Sequence, residues 1–589
     1  MVSLLSWYLL STFLGWLVFP IFFRLLPALT DRGYTLIRAG SLLFWGYAFW
    51  LLATLGILQN DPGGMLFALG LVAGLSLLAL KDGKWTELRG WVSKNWHLIL
   101  MSEIVFLTAF IVLALIRAAN PETLGTEKPM ELAFINAIIR SPSFPPSDPW
   151  LSGYAISYYY FGYVMVGMLA RITGIAAGTA FNLALALWFA MTAQGAYGII
   201  YNLLSARSEH DANKRVITPG IVSLPILGPL FVLVVSNWEG FLEVLHARGI
   251  FWTQSGDGTW TSSFWSWLNI QELVSPPSLP LSWMPNRANG LIWWRASRVL
   301  QDFTYNMDSK EIIDEFPFFS YLLGDLHPHL LAMPFVVLAI GLSLALFLRK
   351  DKSFFTVLGY RIPFAPGFFL LAVLALGSLA FLNTWDFPIY VGLFAVVFTV
   401  RRGLSMGWRW IRLWEFLGLG VIVGITGILL YIPFYMGFSS QAGGFIPSLI
   451  FFTPGKYFWV MFGPLLIPIL AYLIFLWTRR RDNRALVHGV TGAGAVVVIL
   501  WTLSFLFAEL ITKIPVLGDL FVNNQGAQTG LTTSLFQEAF IRRLEAPGTW
   551  ITLWILLALV WALIDEVRNI RTEEMETAEL DDVTIPNVK

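Results

Sequence analysis

Stretches of about 20 mostly apolar residues recur along this chain, broken by short charged or proline-rich segments. A helix of that length just crosses the hydrocarbon of a bilayer, where only a helix or a closed barrel satisfies its own backbone. The pattern predicts an all-α polytopic transmembrane protein of about 13–14 spans. Composition agrees, since 57% of residues are hydrophobic and 13% charged, against about 25% charged in a soluble domain.

Spans are expected near Leu4–Leu26, Ile37–Leu58, Gly64–Leu80, His97–Ile116, Gly174–Leu203, Ile221–Asn237 and Leu330–Leu348. Others are expected near Phe368–Asn383, Phe387–Val400, Trp414–Phe434, Phe458–Trp477, Val487–Phe507 and Thr549–Ile564. The first has neither a basic n-region nor a small-residue cleavage site, so it is expected to be retained. A net charge of +1, with basic residues scattered over short loops, offers no nucleic-acid surface. Without cysteine there can be no disulfide, thiolate metal site or thiol nucleophile. The chain divides into N-terminal spans (1–96), a central core carrying the polar motifs (97–400), C-terminal spans (401–565) and a charged tail (566–589) expected to be disordered and cytoplasmic.

Basic short loops mark the cytoplasmic side. Arg24–Arg38, Lys81–Lys94, Arg207–Arg215, Arg349–Arg361, Arg401–Arg412 and Arg479–Arg484 are therefore expected inside. That places Arg117–Tyr163, Trp238–Pro328, Thr384–Asp386, Gly437–Tyr457 and Glu509–Gly548 outside, so every long loop shares one face. A span through Ile156–Arg171 would push the Arg207–Arg215 loop to the wrong side. The tyrosine segment is thus expected to lie along or dip into the outer interface; the alternative is a hairpin within Gly174–Leu203, broken near Gln194 and Gly195.

The first outer loop holds the densest polar chemistry. Pro129 suits the first turn of a helix, Glu131 sits where the helix dipole favours an acid, and Met130–Arg140 reads as a short helix at the membrane surface. Glu127, Lys128, Glu131 and Asp148 are then polar groups near headgroup level, which solvation alone would also explain. Tyr158, Tyr159, Tyr160 and Tyr163 follow; they form either an aromatic belt or, where hydroxyls face protein, a lined groove.

A second polar motif spans Glu315–Phe335. Pro328 biases His327 towards extended backbone, which would project Asp325, His327 and His329 to one side. Two imidazoles and a carboxylate so placed could hold a divalent metal, bind phosphate through protonated imidazoles, or act as acid and base. The chain has six histidines in all, so this pair stands out from the structural histidine one expects by default. Asp386, beside Asn383 and Thr384, ends a span and either faces a polar cavity or caps the next helix. Trp238, Glu239, Trp293, Trp294, Arg295 and Arg298 lie in the second long loop, where the arginines would bind a lipid phosphate or snorkel.

The motifs TEKPMELAF, SPSFPPSDPW, ISYYYFGY, EFPFFSYLLGDLHPH and LNTWDFP occur in this order. Together they resemble the YYY-domain membrane proteins, an uncharacterised DUF2298-type family named for its tyrosine triplet, over about Glu103–Pro388 and more loosely to the end. That family is grouped by similarity with the GT-C glycosyltransferases. The resemblance implies a GT-C-like fold with interfacial helices in the first large outer loop, and transfer of a sugar from a polyprenyl-phosphate donor on the extracytoplasmic face of the plasma membrane. It assigns the acidic catalytic position to Glu127 or Glu131, with Asp148 as a further candidate. An aspartate is common in GT-C enzymes where this chain has Glu131, and no DxD metal motif stands in the first loop.

On this reading Glu127, Glu131 and Asp325 are catalytic, and one of the two glutamates deprotonates the acceptor hydroxyl. Lys128, Asp148, Tyr158, Tyr159, Tyr160, His327, His329 and Asp386 bind substrate. Asp325, His327 and His329 are the candidate ligands of a divalent Mg or Mn. The partners are the bilayer and the lipid-linked donor. The rivals are a flippase for lipid-linked glycans and an inactive, GT-C-like assembly protein. A flippase calls for ionisable groups deep in the spans, which read as nearly free of charge.

Overall fold

The computed structural model describes residues 1–211, 219–285, 292–349, 353–357, 360–362, 364–439, 448–480, 483–527 and 532–564. The charged tail from 565 and residues 212–215 of the basic 207–215 loop lie outside these residues. Among the described residues, 10 helices are long and apolar enough to cross a membrane, or up to 11 if the pair Thr532–Glu545 and Gly548–Ile564, bent by 64°, is one span. The chain is therefore all-α and polytopic, but with fewer full-length spans than the apolar pattern predicts. Two expected spans are the shorter helices Gly220–Leu233 and Pro366–Leu382, and the first of these is tightened by a 3-10 turn at Leu224–Ile226. A third, Thr549–Ile564, is one limb of the bent pair, with Pro547 at its break.

The tyrosine segment resolves in the same way. Its helix covers only Phe161–Thr173, 13 residues, and at 1.5 Å per residue rises about 20 Å, well short of the roughly 30 Å of hydrocarbon. Tyr158, Tyr159 and Tyr160 precede it in irregular backbone. The hairpin alternative is not formed, because Ala177–Asp211 is one continuous helix of 35 residues.

The helices belong to two compact units. The first comprises Met1–Val234 and Ser320–Gln441, and contains the long helices from Val2–Leu25 to Ile411–Leu430. At its centre Phe161–Ala170 is buried throughout. Gly162 permits that packing, since a Cβ there would stand 2.9 Å from Leu331 Cβ. The ring of Phe161 stacks on Phe381 at 5.0 Å, and Phe381 stacks on Phe434 at 4.1 Å. Trp188 donates its indole N–H to the Leu331 carbonyl at 2.8 Å, so even the largest apolar side chain leaves no polar atom unpaired.

The spans of this unit are not free of charge. Arg38, expected in a cytoplasmic loop, is buried within Tyr34–Thr54, and Glu103 faces it from Trp96–Ala119. Arg38 donates to Glu103 at 2.6 and 3.1 Å, to Gln194 at 2.9 Å and to Thr12 at 2.9 Å. Tyr34 gives Glu103 its hydroxyl hydrogen at 2.9 Å, and Gln194 passes a hydrogen bond on to Ser102 at 2.8 Å. The guanidinium also lies 3.9 Å from the centre of the Phe106 ring. Four helices are thereby tied at one point. Asp31, in the loop between the first two of them, is satisfied likewise by Gly33, Thr35 and Asn202.

The second unit comprises Val235–Phe319 and Ala442–Lys589. Its long helices are Gly455–Arg479 and Asn483–Thr512. A smaller core of Leu242, Trp265, Leu268, Ile270, Leu273, Val299, Tyr457 and Val460 packs beside Glu239–Ala247. Its strands are two hairpins, Thr253–Gln254 with Trp260–Thr261 and Gln301–Phe303 with Ser309–Glu311, which order loops and build no extended sheet.

Candidate functional site

Two segments of the first unit, about 200 residues apart in sequence, meet at the candidate site. One is Thr126–Glu131, at the start of the helix Lys128–Arg140, which Pro129 opens as expected. The other is Gly324–His329, leading into the helix Pro328–Leu348. Pro328 holds His327 extended, at φ −65° and ψ 152°, and Pro328 then occupies the first turn. Two backbone details are conspicuous. Thr126 has φ 48°, a left-handed conformation unfavourable for a β-branched residue. Gly324 has φ 74° and is backed by the Arg117 guanidinium, so any side chain there would collide with it.

Thr126 is held in that conformation while its hydroxyl donates to Asp325 Oδ1 at 2.6 Å. Lys128 Nζ stands 3.9 Å from the same oxygen. Burial depresses the Lys128 pKa, while the Asp325 charge pulls it up and that of Arg117 pushes it further down. Asp325 thus organises a cationic lysine in a partly dry place. Arg117 adds a second cation within electrostatic reach of Asp325. It is buried, donates to Asn182 Oδ1 at 2.8 Å and to the Glu122 carbonyl at 3.2 Å, and went unnoticed in the sequence as a functional candidate. A basic residue closing an apolar span was the available signal, and snorkelling was the competing explanation.

Glu131 lies beneath these groups and is 0% exposed. Its Oε2 accepts the Leu326 N–H at 2.6 Å, which fixes the backbone of the Asp325–His327 segment. Burial, and next the neighbouring Asp325 charge, raise its pKa well above the usual carboxyl range. Among the described residues its Oε1 has no hydrogen bond, and neither has the buried hydroxyl of Tyr163, which lies within electrostatic reach. Buried polar atoms without partners are rare in folded proteins. The spacing of Glu131, Phe134, Ile135 and Ile138, all buried, places Glu131 on the apolar face of its helix.

The histidines complete the group. His327 Nε2 is 3.2 Å from Glu127 Oε2, His327 Nδ1 is 2.6 Å from His329 Nδ1, and His329 Nε2 is 3.1 Å from Ser320 Oγ. One assignment of neutral tautomers satisfies all three contacts. Ser320 donates to His329 Nε2, His329 Nδ1–H donates to His327 Nδ1, and His327 Nε2–H donates to Glu127. This is a directional chain of hydrogen bonds ending on the most exposed carboxylate of the cluster, 52% exposed at its side chain. Asp386, first residue of Asp386–Met406, accepts from Asn383 at 3.1 Å and lies within electrostatic reach of His329.

A family model described as an uncharacterized membrane protein family, DUF2298, matches residues 44–575. The chain belongs to this family. No curated protein and no solved structure matches the chain. The matched region of this DUF2298 protein contains every residue of the cluster, so the site lies within what the family shares in extent.

Other expected site residues take different places. Asp148 accepts the backbone N–H groups of Trp150 and Leu151, each at 2.8 Å, and so shapes a local turn. Tyr158 stays near the cluster, where burial and then Glu127 and Glu131 raise its pKa. It packs on Phe134 at 5.5 Å, and Tyr159 packs on Phe438 at 5.4 Å. Tyr160 instead enters the core, edge-on to Phe381 at 4.7 Å, with Trp50 donating to its hydroxyl at 3.4 Å, because the chain turns into its helix there. It is therefore a packing residue. Arg295 and Arg298, considered for a lipid phosphate, are occupied by acids: Arg295 by Glu243 and Glu272, Arg298 by Glu311.

The proposed metal ligands do not converge. Asp325 turns to Thr126 and Lys128, while the two imidazoles face each other through Nδ1. Among the described residues no group of three or more His, Asp or Glu side chains is arranged to hold a metal ion.

Proposed function

We propose that this DUF2298 protein is a membrane glycosyltransferase that moves a sugar from a polyprenyl-phosphate donor to an acceptor hydroxyl on the extracytoplasmic face of the plasma membrane. The observation that carries the reading is the histidine chain ending on Glu127 next to the Asp325-bound Lys128. A carboxylate and a cation side by side are what a hydroxyl nucleophile and a phosphate leaving group require. The grouping of the family that its loop motifs resemble with the GT-C enzymes supports the same chemistry.

In this mechanism the acceptor oxygen attacks the anomeric carbon and loses its proton to Glu127. The bond from that carbon to the phosphate oxygen breaks, its electron pair stays on the phosphate, and Lys128 and Arg117 offset the charge. His327 and His329 set the hydrogen-bond direction at Glu127, and the proton taken up by this half-exposed carboxylate leaves to solvent. Glu131, fully buried and with its pKa raised by that burial, is a positioning residue in place of the base. Asp325 positions Lys128. Among the described residues no three His, Asp or Glu side chains are arranged as a metal site. The flippase reading gains nothing from Arg38 and Glu103, since their hydrogen-bonding groups are largely used within the bundle.

The test is Glu127→Gln in purified protein reconstituted in nanodiscs with a radiolabelled polyprenyl-phosphate sugar. Transfer is expected to fall by about 10²–10⁴-fold, the usual worth of a general base, with donor binding nearly unchanged. Undiminished transfer overturns the assignment of Glu127. Unchanged, Glu127-independent movement of donor across the bilayer would favour the flippase.

A further inference from the structure

The helices Asp386–Met406 and Ile411–Leu430 of the first unit leave most of their surface outside the bundle, with only 28% and 17% of their apolar stretches buried. Where the first ends and the second begins, they flank an open crevice of about 580 Å³ that the proposed reaction does not use. Val396, Val400 and Phe416 line it along the two helices, and Trp408, Arg409 and Trp410 line it from the turn that joins them. No carboxylate lines it among the described residues.

The charge around the crevice is one-sided. From 402 to 415 the chain carries Arg402, Arg409 and Arg412 against the single carboxylate of Glu415. Arg402 and Arg412 both bind Glu415, the first at 2.7 Å, so that acid is already occupied. The Arg409 side chain is exposed and has no acid or hydrogen-bond partner among the described residues. Trp410 beside it is 86% exposed, and Trp414, one turn further on, is 67% exposed. Indole rings so placed suit the boundary between hydrocarbon and headgroups, with the ring in the apolar layer and the N–H towards the polar one. The positive-inside rule assigns the basic 401–412 loop to the cytoplasmic side, where the leaflet is rich in anionic lipid. The crevice thus offers apolar walls to an acyl chain and an uncompensated guanidinium to a phosphate. Both walls belong to helices that the bundle leaves largely to the bilayer, so a lipid suits them better than a soluble protein does.

We propose that this crevice is a binding site for one phospholipid with an anionic headgroup, whose phosphate pairs with Arg409 and whose acyl chain lies between the two helices. The site is independent of the glycosyl-transfer reading.

The experiment is photo-crosslinking of the full-length protein in phosphatidylcholine nanodiscs that contain a trace of phosphatidylglycerol with a diazirine in its acyl chain, mapped by peptide mass spectrometry. Label is expected on the peptides that cover 396–400 and 413–416. Diazirine phosphatidylcholine at the same level is expected to label them at least about fivefold less, and Arg409→Gln to lower labelling by phosphatidylglycerol about fivefold, the worth of one basic residue beside an anionic headgroup. Arg409 has no partner to lose, so that variant leaves the fold intact, and Arg409→Lys is expected to keep most of the label. Equal labelling by the two lipids, undiminished labelling of Arg409→Gln, or label on other spans but not on these peptides overturns the proposal. Loss of label to inorganic phosphate, beyond that in sodium chloride of equal ionic strength, would assign Arg409 to free phosphate and overturn it too.

Discussion

Two charged clusters in the first unit contrast sharply. Arg38 and Glu103 meet inside the helix bundle, and between them and Thr12, Tyr34, Ser102 and Gln194 most hydrogen-bonding groups are matched. Around Glu127, Asp325 and His327 the charges are also paired, yet among the described residues Glu131 Oε1 and the Tyr163 hydroxyl lack partners, and Glu127 is half exposed. Both clusters would look alike in a list of ion pairs. Each leaves a buried polar atom without a hydrogen bond among the described residues, Arg38 Nε in the first and Glu131 Oε1 in the second, so the difference lies in access: the first is closed inside the bundle and fastens helices, whereas Glu127 opens the second to a ligand.

The largest expected effect tests the fastener. Arg38→Ala strands Glu103 in the bundle and should destabilise the protein by about 3–5 kcal/mol, measured by thermal or denaturant unfolding in detergent. Arg38→Met with Glu103→Leu should recover most of that, because an apolar pair of similar volume needs no hydrogen bonds. If the double variant folds normally but loses sugar transfer, the contrast between the clusters fails.

Next comes Glu131, the satisfied and unsatisfied carboxyl in one residue. Its folded pKa is raised, so its contribution is fully present below the unfolded value near 4.5 and is lost as pH rises towards the folded value. Glu131→Gln removes that dependence. The variant should gain on the wild type by up to about 1.4 kcal/mol per pH unit above pH 5, read as a growing difference in unfolding midpoints. Parallel profiles would mean that Glu131 titrates normally. The smallest effect belongs to Asp148, whose replacement by Ala should cost about 1 kcal/mol through its lost turn hydrogen bonds and leave transfer untouched. A large loss of transfer would return Asp148 to the site.

Much of this site was legible before any coordinates. Pro129 and Pro328 restrict backbone locally, so they reveal where two helices begin and that His327 is extended. The pairing of the two histidines follows from that restriction. The burial of Glu131 was also readable, from its i, i+3, i+4, i+7 register with Phe134, Ile135 and Ile138, although its charge argued for the surface. Asp325, expected to join the histidines, accepts from Thr126, 199 positions away, and stands by Lys128, contacts that no local pattern announces. Arg38 was hidden for a related reason. Counted with the basic loop residues, it reads as an orientation signal, and nothing local announces that Glu103 waits opposite.

The sequence alone determined that this is an all-helical membrane protein, where most of its helices run and which segments carry polar chemistry. Those properties follow from hydrophobicity and from proline's fixed geometry, which act over a few residues. Only the tertiary structure decided which charge meets which. It brought Thr126–Glu131 to Gly324–His329, sent Tyr160 into the core and paired Arg38 with Glu103, because the energy of a buried charge depends on partners that chain order does not encode.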